Sequence, residues 1–106
     1  MTKSYCVIMT TAGSREEAAR LAEILVKRRL AACVQVIGIS SWYTWQGAVT
    51  HEDEQLLLIK TAAELYEQVE AAVRENHSYE VPEVIQVPVE MGFDKYLAWI
   101  DENTGN

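Results

Sequence analysis

The sequence has few of the features that mark membrane or nucleic-acid-binding proteins. It contains no apolar run as long as the roughly 18 residues that a transmembrane helix requires. Its 9 lysines and arginines are outnumbered by 16 aspartates and glutamates, for a net charge of −7. A chain this acidic repels the phosphates of nucleic acids. We therefore expect neither a membrane nor a nucleic-acid partner.

Cysteine is scarce as well. The two cysteines, Cys6 and Cys33, each lie in an apolar run. One disulfide would be sparse for a secreted domain of this size, so we expect both thiols to be reduced and buried. The N-terminal stretch has one lysine and a very short apolar segment, which is too little for a secretory signal peptide. These features favour a cytoplasmic location.

Motifs for catalysis are also rare. The chain has two histidines and scattered glycines, and it lacks G-x-S-x-G, C-x-x-C and H-E-x-x-H motifs. This leaves no phosphate loop, hydrolase elbow or dedicated zinc site. Cys33 with His77 is a conceivable nucleophile and base, but the apolar run around Cys33 is typical of a small buried side chain. We expect a protein that is not an enzyme.

What the sequence does contain is enough apolar residues, 49% of 106, to build one core. Residues 1–106 are therefore expected to form a single domain. Periodicity predicts the order β-α-β-β-α-β followed by a short C-terminal helix. This is an α+β, ferredoxin-like plan with an antiparallel sheet and two helices on one face. The predicted strands are 4–11, 31–45, 49–61 and 84–87, the helices are 15–29, 63–76 and 93–100, and 101–106 is a frayed tail.

Two local signals refine this plan. Ser14 and Glu17 have the spacing of a capping box, in which the Ser14 hydroxyl accepts the Glu17 amide and the Glu17 carboxylate reaches back. Pro88 removes a hydrogen-bond donor, so the fourth strand either lies at a sheet edge or ends there.

The second and third strands form a hairpin that is too long for a monomer of this size to bury. Trp42, Tyr43 and Trp45 crowd its tip near the Gln46–Gly47 turn. Exposed aromatic side chains at a strand end favour an interface with another chain. Tyr96 and Trp99 of the last helix are further interface candidates.

Carboxylates suggest a cation site. Glu52 and Glu54 point to the same face of a strand and repel each other unless a cation lies between them. A divalent metal ion could fill that role; the alternatives are pairing with Lys60 or an arginine, or plain solvation of the two carboxylates. His77 and Glu83 form a nitrogen–oxygen pair that suits copper or zinc. The alternative for His77 is a loop histidine hydrogen-bonded to the backbone.

Six motifs follow one another along residues 5–100. They are Leu30-Ala31-Ala32-Cys33, Tyr43-x-Trp45-x-Gly47, Glu52-x-Glu54, Lys60-Thr61, His77-x-Tyr79-x-x-Pro82-Glu83 and Tyr96-Leu97-x-Trp99. In order and spacing they resemble the CutA divalent-cation-tolerance family. The resemblance implies a ferredoxin-like subunit similar to PII signalling proteins and a tight homotrimer with hairpins wrapped onto neighbouring subunits. It also implies a role in tolerance of copper and other divalent cations, with no catalytic activity established and no obligatory cofactor.

One departure from the family concerns copper. The copper site proposed for bacterial members uses a Cys, a His and a Glu, and by spacing these positions hold Thr10, Asn76 and Glu83 here. Only Glu83 matches. The missing thiolate and imidazole are the two best copper ligands, so tight copper binding at that position is not expected.

Two functions from different classes remain open, beside a purely structural assembly held by the hairpin aromatics. The first is a non-enzymatic homotrimer that binds divalent metal at clefts between subunits. The second is a PII-like signalling trimer whose clefts hold a small anion or a partner protein, with Lys60 and Arg28–Arg29 as contacts. In both cases the expected cleft is lined by Lys60, His77, Tyr79 and Glu83, with Glu52 and Glu54 nearby.

Overall fold

The computed structural model describes residues 3–105; the predictions for residues 1, 2 and 106 lie outside this range. The sheet is antiparallel throughout, with the order β2-β3-β1-β4. This confirms the predicted α+β, ferredoxin-like arrangement with an added C-terminal helix. The strands are β1 (Tyr5–Ala12), β2 (Cys33–Trp45), β3 (Ala48–Ala62) and β4 (Ile85–Val89), and the helices are α1 (Arg15–Lys27), α2 (Tyr66–Asn76) and α3 (Asp94–Glu102), with a 3₁₀ turn over Ala63–Leu65. In residues 3–105 no helix combines the length and apolar character needed to cross a membrane.

The core lies between one face of the sheet and the helices α1 and α2. Alternate residues of β1 and β3, such as Ile8 and Ile59, are fully buried against Leu21 of α1 and Val69 of α2. The intervening residues point to the other side, which we call the open face. There the apolar side chains stay partly exposed: Val7 and Met9 of β1, and Leu56 and Leu58 of β3.

At the start of α1, one of the two predicted capping-box hydrogen bonds is present. The Ser14 hydroxyl accepts a hydrogen bond from the Glu17 amide at 3.1 Å. The Glu17 carboxylate does not complete the capping box at Ser14, which corrects the prediction. It instead accepts the Gly13 amide at 3.4 Å and both the amide and the hydroxyl of Ser78. The Ser78 donors come from a loop 61 residues away, which a local motif does not reveal.

The β2–β3 hairpin extends well beyond the core. Gln46 and Gly47 both have positive φ, 49° and 80°, as a two-residue type I′ turn requires. The molecule measures 47 × 25 × 21 Å, and its radius of gyration of 14.4 Å exceeds the ~13 Å of a compact chain of about 100 residues. Trp42 and Trp45 are 66% and 62% exposed near the tip.

Two features of the sheet edges bear on the predictions. β4 is an edge strand, and it continues through Pro88 to Val89, so the edge alternative is the correct one. Cys6 is buried with a free thiol, whereas Cys33 is only half-buried. The expectation that both thiols are buried is therefore wrong for Cys33, because this residue lies on the edge strand β2 and pairs with Lys60 on the open face.

The C-terminal residues are anchored, which corrects the predicted frayed tail over its described part. α3 continues to Glu102, and the Arg29 guanidinium donates to the carbonyls of Glu102 at 2.7 Å and Gly105 at 2.9 Å. The Gly105 amide in turn donates to the Arg29 carbonyl at 2.9 Å. Thr104 is buried. These contacts join positions more than 70 residues apart, so the composition of the tail gives no sign of them.

Candidate functional site

A carboxylate is buried at the point where β3 leaves the core for the hairpin. Glu54 is only 8% exposed. The Tyr79 hydroxyl donates to Glu54 Oε2 at 2.9 Å, across the end of β1 at Gly13. Burial and then this hydrogen bond raise the pKa of Tyr79 above its usual range. The phenol therefore keeps its proton and remains a donor to the carboxylate.

Three more side chains share this electrostatic environment. Desolvation and then the neighbouring Glu52 carboxylate raise the pKa of Tyr43. Partial desolvation and then the charge of Glu54 raise the pKa of Glu83, which stays exposed on one side. We call the set Tyr43, Glu52, Glu54, Tyr79 and Glu83 the acidic cluster.

The acidic cluster has no internal counter-ion in the described chain. Among residues 3–105, the ion pairs involve none of its three carboxylates. Lys60, the predicted partner, lies six positions beyond Glu54 on β3, which is roughly 20 Å at ~3.3 Å per residue. Its ammonium instead lies 5.8 Å from the centre of the Tyr96 ring. The structure thus brings Tyr79, Glu83, Glu52 and Glu54 to one region and leaves Lys60 outside it.

His77 lies next to the acidic cluster with both ring nitrogens already in use. Its side chain is fully buried. Nδ1 accepts the Tyr79 amide at 3.0 Å, so Nε2 carries the proton that it donates to the Thr11 carbonyl at 2.6 Å. This is the hydrogen-bonded arrangement that the sequence offered as the alternative to metal ligation. A metal ion at His77 would have to displace one of these bonds.

At the positions carried over from the bacterial copper proposal, Thr10 and Asn76 stand in place of the Cys and the His. Thr10 belongs to the fully buried row of β1 that faces the helices, opposite the open face. The Asn76 side chain donates to the Ala72 carbonyl at 2.8 Å within α2. Within residues 3–105, no three His, Cys, Asp or Glu side chains form a group that could hold a metal ion.

Sequence reasoning missed the residue that anchors the loop between α2 and β4. The Glu17 carboxylate is 8% exposed and accepts the Ser78 amide at 2.7 Å and the Ser78 hydroxyl at 3.0 Å. Burial acts to raise the pKa of Glu17, but the hydrogen bonds from Ser78 and Gly13 outweigh it and hold that pKa below its usual value. The one signal at this residue was the capping-box spacing, and this concerned only the local helix.

The interface candidates fall in two places. Trp42 stacks on His51 in the hairpin, with ring centres 4.1 Å apart. Tyr96 and Trp99 stack at 5.7 Å on α3, and both are about 40% exposed. Aromatic surface is therefore exposed at two separate places, the hairpin and α3.

The fold and the site together define a small ferredoxin-like protein with an overlong hairpin and an acidic, tyrosine-lined site. The sequence profile of the family described as CutA1 divalent ion tolerance protein matches residues 6–103. The chain is 42% identical over 100 residues to the divalent-cation tolerance protein CutA of Thermus thermophilus, covering 93% of this chain and 97% of that protein. It is 45% identical over 101 residues to the chloroplastic protein CutA of Arabidopsis thaliana. This chain belongs to the CutA1 family, as the resemblance predicted.

Solved structures agree with this assignment. The Thermus thermophilus protein superposes with a TM-score of 0.92 at 41% identity, covering 95% of this chain and 99% of that one. CutA1 from Oryza sativa superposes with a TM-score of 0.96 at 40% identity, covering 99% and 97%.

The relatives differ in length and in the location that their names state. The match covers 94% of this chain but only 56% of the Arabidopsis protein. That relative is named chloroplastic, and the Archaeoglobus fulgidus structure is described as a periplasmic protein. A cytoplasmic location for this chain thus stays a prediction.

Proposed function

We propose that this chain acts in tolerance of divalent cations by binding a divalent ion, such as copper or zinc, at the acidic cluster of a homotrimer. The observation that carries this proposal is Glu54, a buried carboxylate with no cationic side chain paired to it in the described residues. It lies close enough to Glu83 to raise the pKa of that residue.

The electrostatics of the cluster favour a cation over an anion. Carboxylates that face one another without a counter-ion repel, and a divalent cation relieves the repulsion of both at once. Tyr79 occupies Oε2 of Glu54, which leaves Oε1 and the Glu83 carboxylate as oxygen ligands. These oxygens accept zinc or copper as well as harder ions. We expect modest affinity, because among residues 3–105 of one subunit the acidic cluster contains neither a thiol nor an imidazole.

The homotrimer is proposed because one chain leaves both the site and the sheet incomplete. The acidic cluster continues the row of β3 residues that forms the open face, where apolar side chains stay partly exposed. The sheet has two free edges, β2 and β4, and pairing β2 of one subunit with β4 of the next is a head-to-tail contact. Such contacts leave no free edge only when they close into a ring. A neighbouring subunit would then supply the missing ligands.

Binding rather than catalysis is favoured by the state of the nucleophiles and bases. Burial raises the pKa of the Cys6 thiol, which disfavours the reactive thiolate. Both nitrogens of His77 are engaged with the backbone. Neither residue is poised for proton transfer or nucleophilic attack.

The PII-like alternative, a trimer that binds a small anion, has less support. Of its proposed contacts, Arg29 uses its guanidinium to hold the carbonyls of Glu102 and Gly105. Lys60 lies against Tyr96. Both cationic side chains thus already have partners within the chain.

Calorimetric titration with Zn²⁺ and with Cu²⁺ tests the proposal. Glu54→Gln and Glu83→Gln should each weaken binding about tenfold or more, since each loses a charged ligand. Glu90→Gln, an exposed carboxylate after β4, is the matched control and should bind as the parent does. Unchanged affinity in both cluster variants would exclude the acidic cluster as the site.

His77→Ala, measured in the same way, separates the two interpretations of that residue. If His77 is a metal ligand, His77→Ala should weaken metal binding about as much as Glu83→Gln does. If His77 only makes hydrogen bonds to the backbone, His77→Ala should lose thermal stability but bind the same number of metal ions as the parent.

A further inference from the structure

The loop that carries Tyr79 is attached to α1 by one buried carboxylate. Glu17 accepts three hydrogen bonds, two from Ser78 at 2.7 and 3.0 Å and one from the Gly13 amide at 3.4 Å. Arg20 of the same helix donates to the Asn76 carbonyl at 3.0 Å and lies 3.7 Å from Glu17. The first residues of the loop are therefore fixed to α1.

Ser78 is followed directly in the chain by a residue of the acidic cluster. The next residue, Tyr79, donates its amide to His77 Nδ1 at 3.0 Å, and its ring lies 4.8 Å from the His77 ring. The His77 ring is itself held on the Thr11 carbonyl. At the far end of the Tyr79 side chain, the hydroxyl donates to Glu54. A shift of the Ser78 backbone would move this hydroxyl off the carboxylate.

We propose that Glu17 is a positioning residue of the acidic cluster: by holding Ser78, it sets the Tyr79 hydroxyl on Glu54 and so fixes which Glu54 oxygen remains free for a cation. Glu17 itself does not touch the ion. The positioning role stands on contacts within the chain, and only its consequence for metal binding rests on the proposed function.

The ionised carboxylate is suited to this role in a way that no neutral side chain is. A carboxylate accepts only, with two oxygens, and it faces three donors here. A glutamine at position 17 offers one acceptor oxygen, and its NH2 group must face either the Gly13 amide or the Ser78 amide, which are both donors. Hydrogen bonds to a charged group are also stronger than neutral ones. Glutamine is therefore expected to restore the attachment in part only.

The experiment compares Glu17→Ala with Glu16→Ala, an exposed glutamate at the adjacent position of the same helical turn. Two local quantities are measured by NMR. The first is the amide hydrogen-exchange rate of Ser78 and Tyr79, and the second is the ring ¹³Cζ shift of Tyr79, assigned by its loss in Tyr79→Phe. In Glu17→Ala we expect exchange at both amides to rise about 10- to 100-fold. The Tyr79 shift should move to the value that it takes in Glu54→Gln.

Glu17→Gln should give intermediate values, and Glu16→Ala should match the parent. A purely structural role would lower thermal stability without moving the Tyr79 shift toward that of Glu54→Gln. A Tyr79 shift unchanged in folded Glu17→Ala would overturn the proposal. If that variant does not fold, Glu17→Gln decides, because it keeps the size of the side chain and removes one acceptor oxygen of the attachment. A shifted Tyr79 signal there supports the proposal, and an unchanged one overturns it.

A measurement of metal affinity distinguishes this proposal from the proposed function. Zn²⁺ affinity is measured for Glu17→Ala and Glu54→Gln by calorimetry. Weaker binding in both variants supports both ideas. If Glu54→Gln binds Zn²⁺ as the parent does, the proposed cation site fails, and the Tyr79 shift alone still decides whether Glu17 positions the hydroxyl.

Discussion

Glu83 shows how a single carboxylate in the acidic cluster opposes folding. Partial desolvation and then the charge of Glu54 raise its pKa above the ordinary value of 4.5. The folded chain thus binds the Glu83 proton more tightly than the unfolded chain, so this residue costs stability once the pH exceeds its ordinary pKa. Glu83→Gln should raise the free energy of unfolding at pH 7 and leave it unchanged at about pH 3.

Urea unfolding at fixed protein concentration measures this difference, since assembly makes the transition depend on concentration. Glu90→Gln provides the baseline for removing one acidic charge from this acidic chain. A stabilisation of equal size at both pH values would show that proton binding at Glu83 is not its cause.

The ionised Glu17 carboxylate stabilises the fold, in contrast to Glu83. Hydrogen bonds from Ser78 and Gly13 outweigh its burial and hold its pKa below 4.5. Its contribution is therefore fully present above its unfolded pKa and is lost as the pH falls through the lowered folded value. We expect Glu17→Gln to lower the free energy of unfolding by ~1–2 kcal/mol at pH 7, with the deficit shrinking as the pH falls below about 4.5. A deficit that stays constant down to the pH of acid unfolding would contradict this explanation.

At the scale of elements, the sequence predicted those features that depend on local pattern. The Ser14 cap and the Gln46–Gly47 turn each depend on residues close together in the chain. The hydrogen-bond partners of side chains could not be predicted from local pattern. Glu17 with Ser78 and Arg29 with Gly105 are joined only by the completed fold, so neither periodicity nor composition shows them.

The parts of the site that were predictable depend on local pattern in the same way. Glu52 and Glu54 share a face because a strand has a period of two, and this required no tertiary information. The exclusion of Lys60 also follows from distance along β3 once its register is known. The engagement of His77 by Thr11 and Tyr79 depends on how a loop crosses the end of β1, which no local pattern specifies.

The contacts between Arg29 and the C-terminal residues lead to a prediction for α3 and the tail that follows it. Arg29 has a φ of 58°, a left-handed conformation that costs about 1 kcal/mol or more in a non-glycine residue. Its contacts with Glu102 and Gly105 offset that cost. Arg29→Ala keeps the strain and removes the side-chain contacts, so the Gly105 amide should exchange hydrogen about tenfold faster or more, and α3 should fray.

Arg29→Gly separates the two contributions, because glycine tolerates a positive φ. It should recover part of the global stability lost in Arg29→Ala while Gly105 remains unprotected. Arg28→Ala, at the adjacent cap position, should leave Gly105 protected. Slow Gly105 exchange in Arg29→Ala would mean that the tail is held by other contacts, such as those of the buried Thr104.

For the whole molecule, the distribution of exposed apolar surface connects the hairpin to assembly. The core uses one face of the sheet, yet Ile37, Ile85 and Val87 on the other face are each about half exposed. The hairpin carries Trp45 beyond the core with 62% of its surface exposed. An elongated shape with apolar surface on one face and at one end suits a subunit of a closed oligomer better than a solitary chain.

Trp45→Ala is the sharpest test of that proposal. Sedimentation velocity of the parent at low micromolar concentration should give a mass near three times 12.0 kDa. Buried tryptophans are among the residues that dominate interface energetics, at ~2 kcal/mol or more each, so Trp45→Ala should weaken assembly by more than tenfold and reveal monomer on dilution. Met91→Ala, which removes a 92% exposed apolar side chain outside the hairpin, should assemble as the parent does. A monomeric parent would refute the trimer itself, whereas equal assembly of both variants would move the interface away from the hairpin tip and onto the open face.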